Sequence, residues 1–164
     1  MSTKYVYADP HFSHTNIIKY ESRPFSNAEE MNKEIIKNHN SVITKRDKVF
    51  ILGDFCLAGK EETAKIVKQL NGYKILVMGN HDRSRSVQFW WDVGFNEVIK
   101  YPIVIEDFFI LSHEPMSMSK FMPYVNVHGH IHGNQLNSDK HVNVSLDVMD
   151  FKPVLLEDLL ITLL

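Results

Sequence analysis

The sequence lacks cysteine pairs, long apolar runs and a strong excess of either charge. Its single cysteine, Cys56, excludes an internal disulfide, so a reducing, cytoplasmic setting is expected. No apolar run approaches the roughly 18 residues of a membrane span, and the N-terminus turns polar too early for a signal peptide. The formal net charge of -2 argues against extended nucleic-acid binding as the main task.

Short apolar runs alternate with amphipathic segments, and no linker or repeat divides the chain. The 164 residues therefore predict one domain, residues 1–164. Strands are predicted at 4–8, 48–52, 74–78, 108–111, 125–127 and 142–146, with 98–105 as a further candidate interrupted by Pro102. Helices are predicted at 27–43, 60–70 and 86–93, the first capped by Ser26 and Glu29. This order predicts a layered α/β domain.

Some residues are assigned structural roles. Trp90 and Trp91 share the third predicted helix, and both are assigned to the core. Of the nine histidines, three are interpreted as unrelated to metal binding: His39, His128 and His141.

Polar side chains follow five of the predicted strands, where each strand ends. They are Asp9 and His11, then Asp54, then Asn80, His81 and Asp82, then His113, and finally His130 and His132. Because chemistry in α/β sheets gathers beyond the carboxyl ends of the strands, these side chains are expected to meet. Gly129 is expected to relax the backbone so that both of the last histidines face one site.

The ligand types indicate two metal ions. Carboxylate, amide and imidazole groups without thiolates suit Mn, Fe, Zn, Ni or Co. Two cations about 4 Å apart need a bridging carboxylate to offset their repulsion. Asp54, on a tight turn after a central strand, is the natural bridge.

This set of motifs resembles the signature of the calcineurin-like metallophosphoesterase superfamily, in particular its small single-domain bacterial and phage members. The matching segments are Asp9-x-His11, Gly53-Asp54, Gly79-Asn80-His81-Asp82, His113 and Gly129-His130-x-His132. They occur in the family's order and cover most of the chain. The resemblance implies a four-layer α/β/β/α sandwich of two mixed sheets flanked by helices.

The resemblance also implies a role for each matching residue. Asp9, His11 and His132 would hold one metal, Asn80, His113 and His130 the other, and Asp54 would bridge them. A hydroxide bound to both metals would then hydrolyse a phosphomonoester or phosphodiester. His81 would protonate the leaving oxygen, and Asp82 would orient its ring. Manganese is the metal favoured for assay.

Residues near the motifs are candidates for the substrate, expected to be a small-molecule or nucleotide phosphate ester. His14, Arg23 and Arg83 are interpreted as substrate contacts, and the alternative for His14 and Arg83 is a solvent-exposed role. A nuclease of the same superfamily and a non-catalytic metal-binding scaffold stay open as alternatives. All seven predicted ligands and His81 are present, which disfavours the scaffold. A homodimer through an exposed face of the second sheet also stays open.

Overall fold

A computed structural model describes residues 2–162 of the chain. Its first sheet contains β1 (Lys4–Tyr7), β2 (Lys48–Ile51), β3 (Tyr73–Val77), β4 (Glu97–Ile99) and β9 (Val154–Leu155). The spatial order is β4-β3-β2-β1-β9. Strands β1 to β4 run parallel, and β9 pairs antiparallel with β1. The carboxyl ends of four strands therefore meet at one edge.

The second sheet contains β5 (Ile103–Ile105), β6 (Phe109–Leu111), β7 (Val125–His128) and β8 (His141–Asn143), in that spatial order. Strands β6, β7 and β8 are parallel, and β5 is antiparallel to β6. A parallel bridge between Ala8 and Ser145 joins the ends of the two sheets. The predicted fold class, an α/β fold of two mixed sheets flanked by helices, is confirmed.

The helices are α1 (Thr15–Tyr20), α2 (Ala28–Val42), α3 (Lys60–Gln69), α4 (Val87–Asp92) and α5 (Asp158–Thr162), with 3-10 turns at Asp82–Ser84 and Leu146–Val148. The predicted cap at Ser26 is wrong by one residue. Asn27 caps α2 by accepting a hydrogen bond from the backbone N–H of Glu30 at 2.8 Å. No helix among residues 2–162 has both the length and the apolar character that crossing a bilayer requires.

Two apolar cores hold the layers together. The core between the sheets includes Val6, Phe50 and Val77 from the first sheet and Leu111 and Val127 from the second. The other core lies between the first sheet and its helices and includes Tyr7, Ile51, Met31, Ile66 and Trp90. Successive strand residues alternate between the two cores because side chains alternate across a sheet.

Residues 114–124 form an irregular segment between β6 and β7 that contacts the outer face of the second sheet. Its Met116 donates a backbone hydrogen bond to Asn126 Oδ1 at 2.8 Å and accepts one from His141 Nε2 at 2.6 Å. Asn126 and His128 are buried beneath it. This part of the face considered for a homodimer is therefore covered, whereas Val104 on β5 is 52% exposed, and the oligomeric state stays an open expectation.

Two further expectations need correction. The candidate strand at 98–105 is divided between β4 in the first sheet and β5 in the second, because Pro102 has no N–H to continue a ladder. Trp90 is fully buried as predicted, but Trp91 is 53% exposed. Adjacent residues of a helix point about 100° apart, so α4 buries one tryptophan and presents the other to solvent.

Candidate metal centre

The predicted ligands are held on strained backbone at the carboxyl edge of the strands. Asp9, His11, Asp54, His130 and His132 all adopt the left-handed conformation, with φ between 48° and 72°. Non-glycine residues in this region cost free energy and cluster at functional sites. Five such residues converging from three loops indicate a site that the surrounding fold holds in place.

The first ligand group contains Asp9, His11 and His132, each of which offers one atom within 4.8 Å of the others. Asp9 Oδ2 accepts hydrogen bonds from the Ser145 hydroxyl and the His130 backbone N–H. Within residues 2–162, Asp9 Oδ1 and His11 Nε2 are the buried side-chain atoms without a hydrogen-bond partner. Unpaired buried polar atoms are costly, and a cation would satisfy both.

The second ligand group contains Asn80, His113 and His130. His113 Nε2 lies 2.9 Å from Asn80 Oδ1 and 3.1 Å from His130 Nδ1, and the latter two atoms are 3.2 Å apart. Ligand atoms bound at right angles to one ion, with bonds of about 2.1 Å, lie about 3 Å apart. His113 Nδ1 donates to the carbonyl of Leu52 at 2.7 Å, which turns Nε2 toward this cluster.

Asp54 lies between the two groups. Its Oδ2 is 3.6 Å from His11 Nε2 and 3.4 Å from His113 Nε2, so one oxygen faces a histidine of each group. Burial alone would raise the pKa of Asp54, but hydrogen bonding and charge attraction from His113 outweigh it and hold the pKa at about 2. The same carboxylate and Asp9 raise the pKa of His113 to about 9 against the effect of burial. The centre thus attracts positive charge.

Comparison with known proteins agrees with this geometry. The sequence model of the calcineurin-like phosphoesterase family matches residues 4–162. The chain belongs to this family. Calcineurin-like phosphoesterases generally hydrolyse phosphate esters and typically bind two divalent metal ions.

Two proteins similar to this chain have no established activity. An uncharacterized protein of Methanocaldococcus jannaschii is 37% identical over 171 residues, which cover 98% of this chain and 90% of the relative. The crystal structure of a protein of unknown function from Aquifex aeolicus has a TM-score of 0.79, with 26% identity and full coverage of both chains. They support the fold and family and leave the substrate open.

His132 is oriented by a residue that the sequence analysis missed. His132 Nδ1 donates to Asp147 Oδ2 at 2.9 Å, so its Nε2 is free to bind a cation. Asp147 lies in the 3-10 turn after β8. The signal that located the other ligands, a polar residue directly after a predicted strand, applies to Asp147 as well.

Arg23 is a buried part of the same arrangement, and its predicted contact with substrate stays a prediction. Its side chain is buried and donates to both carboxylate oxygens of Asp147, at 2.9 and 3.0 Å. It also donates to the carbonyls of Asp9 at 2.7 Å and Pro10 at 3.0 Å. Arg23 therefore connects the loop that carries Asp9 to the carboxylate that orients His132.

Within residues 2–162 the Asp82 carboxylate is hydrogen-bonded to backbone amides and not to the ring of His81, and its predicted role in orienting that ring stays a prediction. Its carboxylate accepts backbone hydrogen bonds from Asp54 and Gly79, each at 2.7 Å, and from Phe55 at 3.0 Å. Burial raises the pKa of Asp82 to about 6, although these three amides favour the charged form. Asp82 holds the two loops that carry Asp54 and Asn80 together.

His81 lies on the open side of the centre. Its side chain is 50% exposed, and its Nε2 lies 3.9 Å from Asp54 Oδ2. Its backbone N–H donates to Asp54 Oδ1 at 3.1 Å, which fixes the start of the side chain beside the proposed bridge. A half-exposed imidazole in this position can reach a bound substrate.

The other two predicted substrate residues lie beside the centre. His14 Nδ1 is 3.3 Å from His11 Nδ1, on the side of that ring opposite its unpaired nitrogen. Arg83 forms a bidentate ion pair with Glu114, with N–O distances of 2.6 and 3.0 Å. Contact of either residue with substrate stays a prediction.

Gly129 acts by its small size and not by a left-handed backbone. His130 and His132 make the left-handed turns themselves, whereas Gly129 lies outside that region. A Cβ at position 129 would overlap the side chains of Ala8 and Asp9. The predicted mechanism for turning the histidines is therefore wrong, because the close approach of β7 to β1 is what requires glycine.

Proposed function

We propose that this chain hydrolyses a phosphomonoester or phosphodiester of a small molecule or nucleotide at a two-metal centre. The observation that supports this proposal most directly is that Asp9 Oδ1 and His11 Nε2 are buried without hydrogen-bond partners. Asp54 Oδ2 lies between these atoms and the second ligand group. When bound, two divalent cations supply an activated water and hold the phosphate oxygens.

The ligand set suits this role. The first group would hold one cation, the second group the other, and Asp54 would contact both. Asp9 and Asp54 would leave part of the charge of two divalent cations uncompensated, which favours an anionic phosphate. Asp9, Asp54 and His113 are almost completely buried, so their charges are weakly screened by water.

His81 is the proposed general acid. Its imidazole is the half-exposed titratable group beside Asp54, and histidine can donate a proton near neutral pH. Proton donation matters most when the leaving oxygen would otherwise depart as an unstable alkoxide. The backbone hydrogen bond from His81 to Asp54 keeps this side chain next to the position where the phosphate would bind.

The test compares p-nitrophenyl phosphate and bis-p-nitrophenyl phosphate with Mn²⁺, with chelator, and in Asp54→Asn. The matched control is Asp150→Asn, because the Asp150 side chain is 92% exposed. Its backbone, like that of Asp54, has the left-handed conformation, which asparagine tolerates. Metal-dependent turnover lost only in Asp54→Asn supports the proposal, and the preferred ester identifies the substrate class. A folded, metal-loaded protein without turnover of any ester contradicts it and favours the scaffold.

A further inference from the structure

A cleft lies beside the metal centre at the same edge of the first sheet. Its volume is about 690 Å³, and its lining residues include Met78, Arg83, Arg85, Lys100 and Tyr101. Met78 directly follows β3, and Lys100 directly follows β4. Neighbouring strands lie about 5 Å apart, so the cleft adjoins the loop that presents Asn80.

The cleft is positively charged. Its lining contains three cationic side chains, Arg83, Arg85 and Lys100, and no aspartate or glutamate. The chain as a whole has a formal net charge of -2, so this concentration of positive charge is local. A concave surface of one charge sign attracts a ligand of the opposite sign.

Most of this charge is not neutralised within the protein. Arg83 pairs with Glu114. Arg85 donates to the carbonyls of Leu57 and Ala58, at 3.1 and 2.7 Å, and these neutral partners leave its charge uncompensated. Lys100 is exposed and has no ion pair within residues 2–162. Lys100 therefore remains available to an anion, while Arg85, whose guanidinium is held by backbone carbonyls, adds positive potential to the cleft.

One wall of the cleft lies close in sequence to the proposed general acid. The segment that forms one wall follows His81 directly, and Ser84 Oγ donates to the His81 carbonyl at 2.8 Å. A leaving group protonated by His81 would therefore depart next to this wall. On the far wall, the ring of Tyr101 is 74% exposed and offers a flat apolar surface.

We propose that the cleft binds a second anionic group on the leaving group of the phosphate-ester substrate. This inference rests on the proposed function and narrows its substrate class to esters that carry another phosphate or carboxylate. Arg and Lys side chains are the usual partners of such groups. Lys100 would contribute most, since its exposed ammonium has neither the carboxylate partner of Arg83 nor the carbonyl partners of Arg85.

The kinetic test compares phenyl phosphate with 4-carboxyphenyl phosphate in wild type, Lys100→Glu and Lys45→Glu. Lys45 is exposed just before β2, at the opposite edge of the sheet, so its variant makes the same charge change away from the cleft. The ratio of kcat/KM for the two esters should fall about 10-fold in Lys100→Glu only, a size typical of a hydrogen bond to a charged group. Differences in the chemical reactivity of the two esters cancel in this comparison, because the same ratio is measured for each enzyme.

A binding test separates this inference from hydrolysis. Phenylphosphonate and 4-carboxyphenylphosphonate, which cannot be hydrolysed at the phosphorus–carbon bond, are titrated against the Mn²⁺-loaded protein. Tighter binding of the second probe, lost in Lys100→Glu and kept in Lys45→Glu, supports the cleft even if no ester is turned over. Replacing the carboxylate by a second phosphonate shows which anion is preferred. Equal affinities for all three probes, or equal effects of both variants, would overturn the proposal.

Discussion

Asp147 Oδ2 lies 2.9 Å from His132 Nδ1, and the same carboxylate forms a buried ion pair with Arg23. A carboxylate that accepts the rear N–H of a histidine fixes its tautomer and directs the other nitrogen to the metal. The two residues are 124 positions apart in sequence, and together they link the loop after β1, the turn after β8 and the loop that carries His132. Asp147 is thus a positioning residue for the first ligand group.

Asp147→Asn should therefore weaken metal binding at this group. Loss of such a partner typically costs about 10- to 100-fold in metal affinity. The measurement is a Mn²⁺ or Co²⁺ titration, with Asp150→Asn as the exposed control. Nitrogen NMR of His132 adds an independent readout, because the fraction protonated at Nδ1 should fall. Unchanged affinity and unchanged tautomer in a folded variant would contradict this role.

Gly129→Ala should destabilise the protein and disturb the centre. The added Cβ would overlap Ala8 and Asp9, at the point where the two sheets meet. We expect a loss of about 1–3 kcal/mol in the free energy of unfolding, measured in urea. Gly133→Ala is the matched control, since a Cβ there meets nothing within 4 Å. An equal effect of both substitutions would exclude the steric explanation.

The positions of the ligands were predictable because polar residues directly follow buried strands. Asp9 follows β1 and Asp54 follows β2, and these strands are parallel neighbours, so their carboxyl ends must meet. The division into two sheets was implied only by the family resemblance, whereas the pattern of apolar strands predicted a layered α/β domain. These parts of the fold depend on local periodicity, which a single sequence contains.

The partners of the ligands were not predictable, because they depend on distant contacts and on the direction of side chains. Asp82 follows His81 in sequence, yet its carboxylate faces the amides of Asp54 and Gly79. Arg23 lies near the first motif, but it pairs with Asp147, and no periodicity connects the two. The irregular segment 114–124 also depends on contacts that are distant in sequence. Met116 is hydrogen-bonded to Asn126, 10 residues away, and to His141, 25 residues away.

His39 should make the protein less stable as pH falls, independently of the metal centre. It is fully buried between Tyr7 Oη at 3.1 Å and the Asn71 carbonyl at 2.8 Å, and burial lowers its pKa to about 4. Between pH 6.5 and about 4 the unfolded chain binds a proton at His39 that the folded chain does not. The stability contributed by neutral His39 is therefore fully present above pH 6.5 and is lost as the pH falls from 6.5 to about 4.

His39→Gln is the test of this linkage. We expect the difference in unfolding free energy between wild type and variant to shrink by about 2 kcal/mol from pH 7 to pH 5. Urea unfolding at both pH values, with chelator present throughout, measures the change. The variant is expected to be less stable at pH 7, because it loses buried hydrogen bonds. A difference that stays constant with pH would show that His39 does not carry the effect.

His81→Ala should slow hydrolysis by an amount that depends on the leaving group. If His81 donates a proton to the leaving oxygen, its loss should cost about 100-fold or more with phenyl phosphate. The loss should be much smaller with p-nitrophenyl phosphate, because p-nitrophenolate is a stable anion that needs little protonation. Mn²⁺ affinity should be unchanged, since the imidazole belongs to neither ligand group. Equal losses with both esters would instead assign His81 to binding the phosphate, because that interaction is the same for either leaving group.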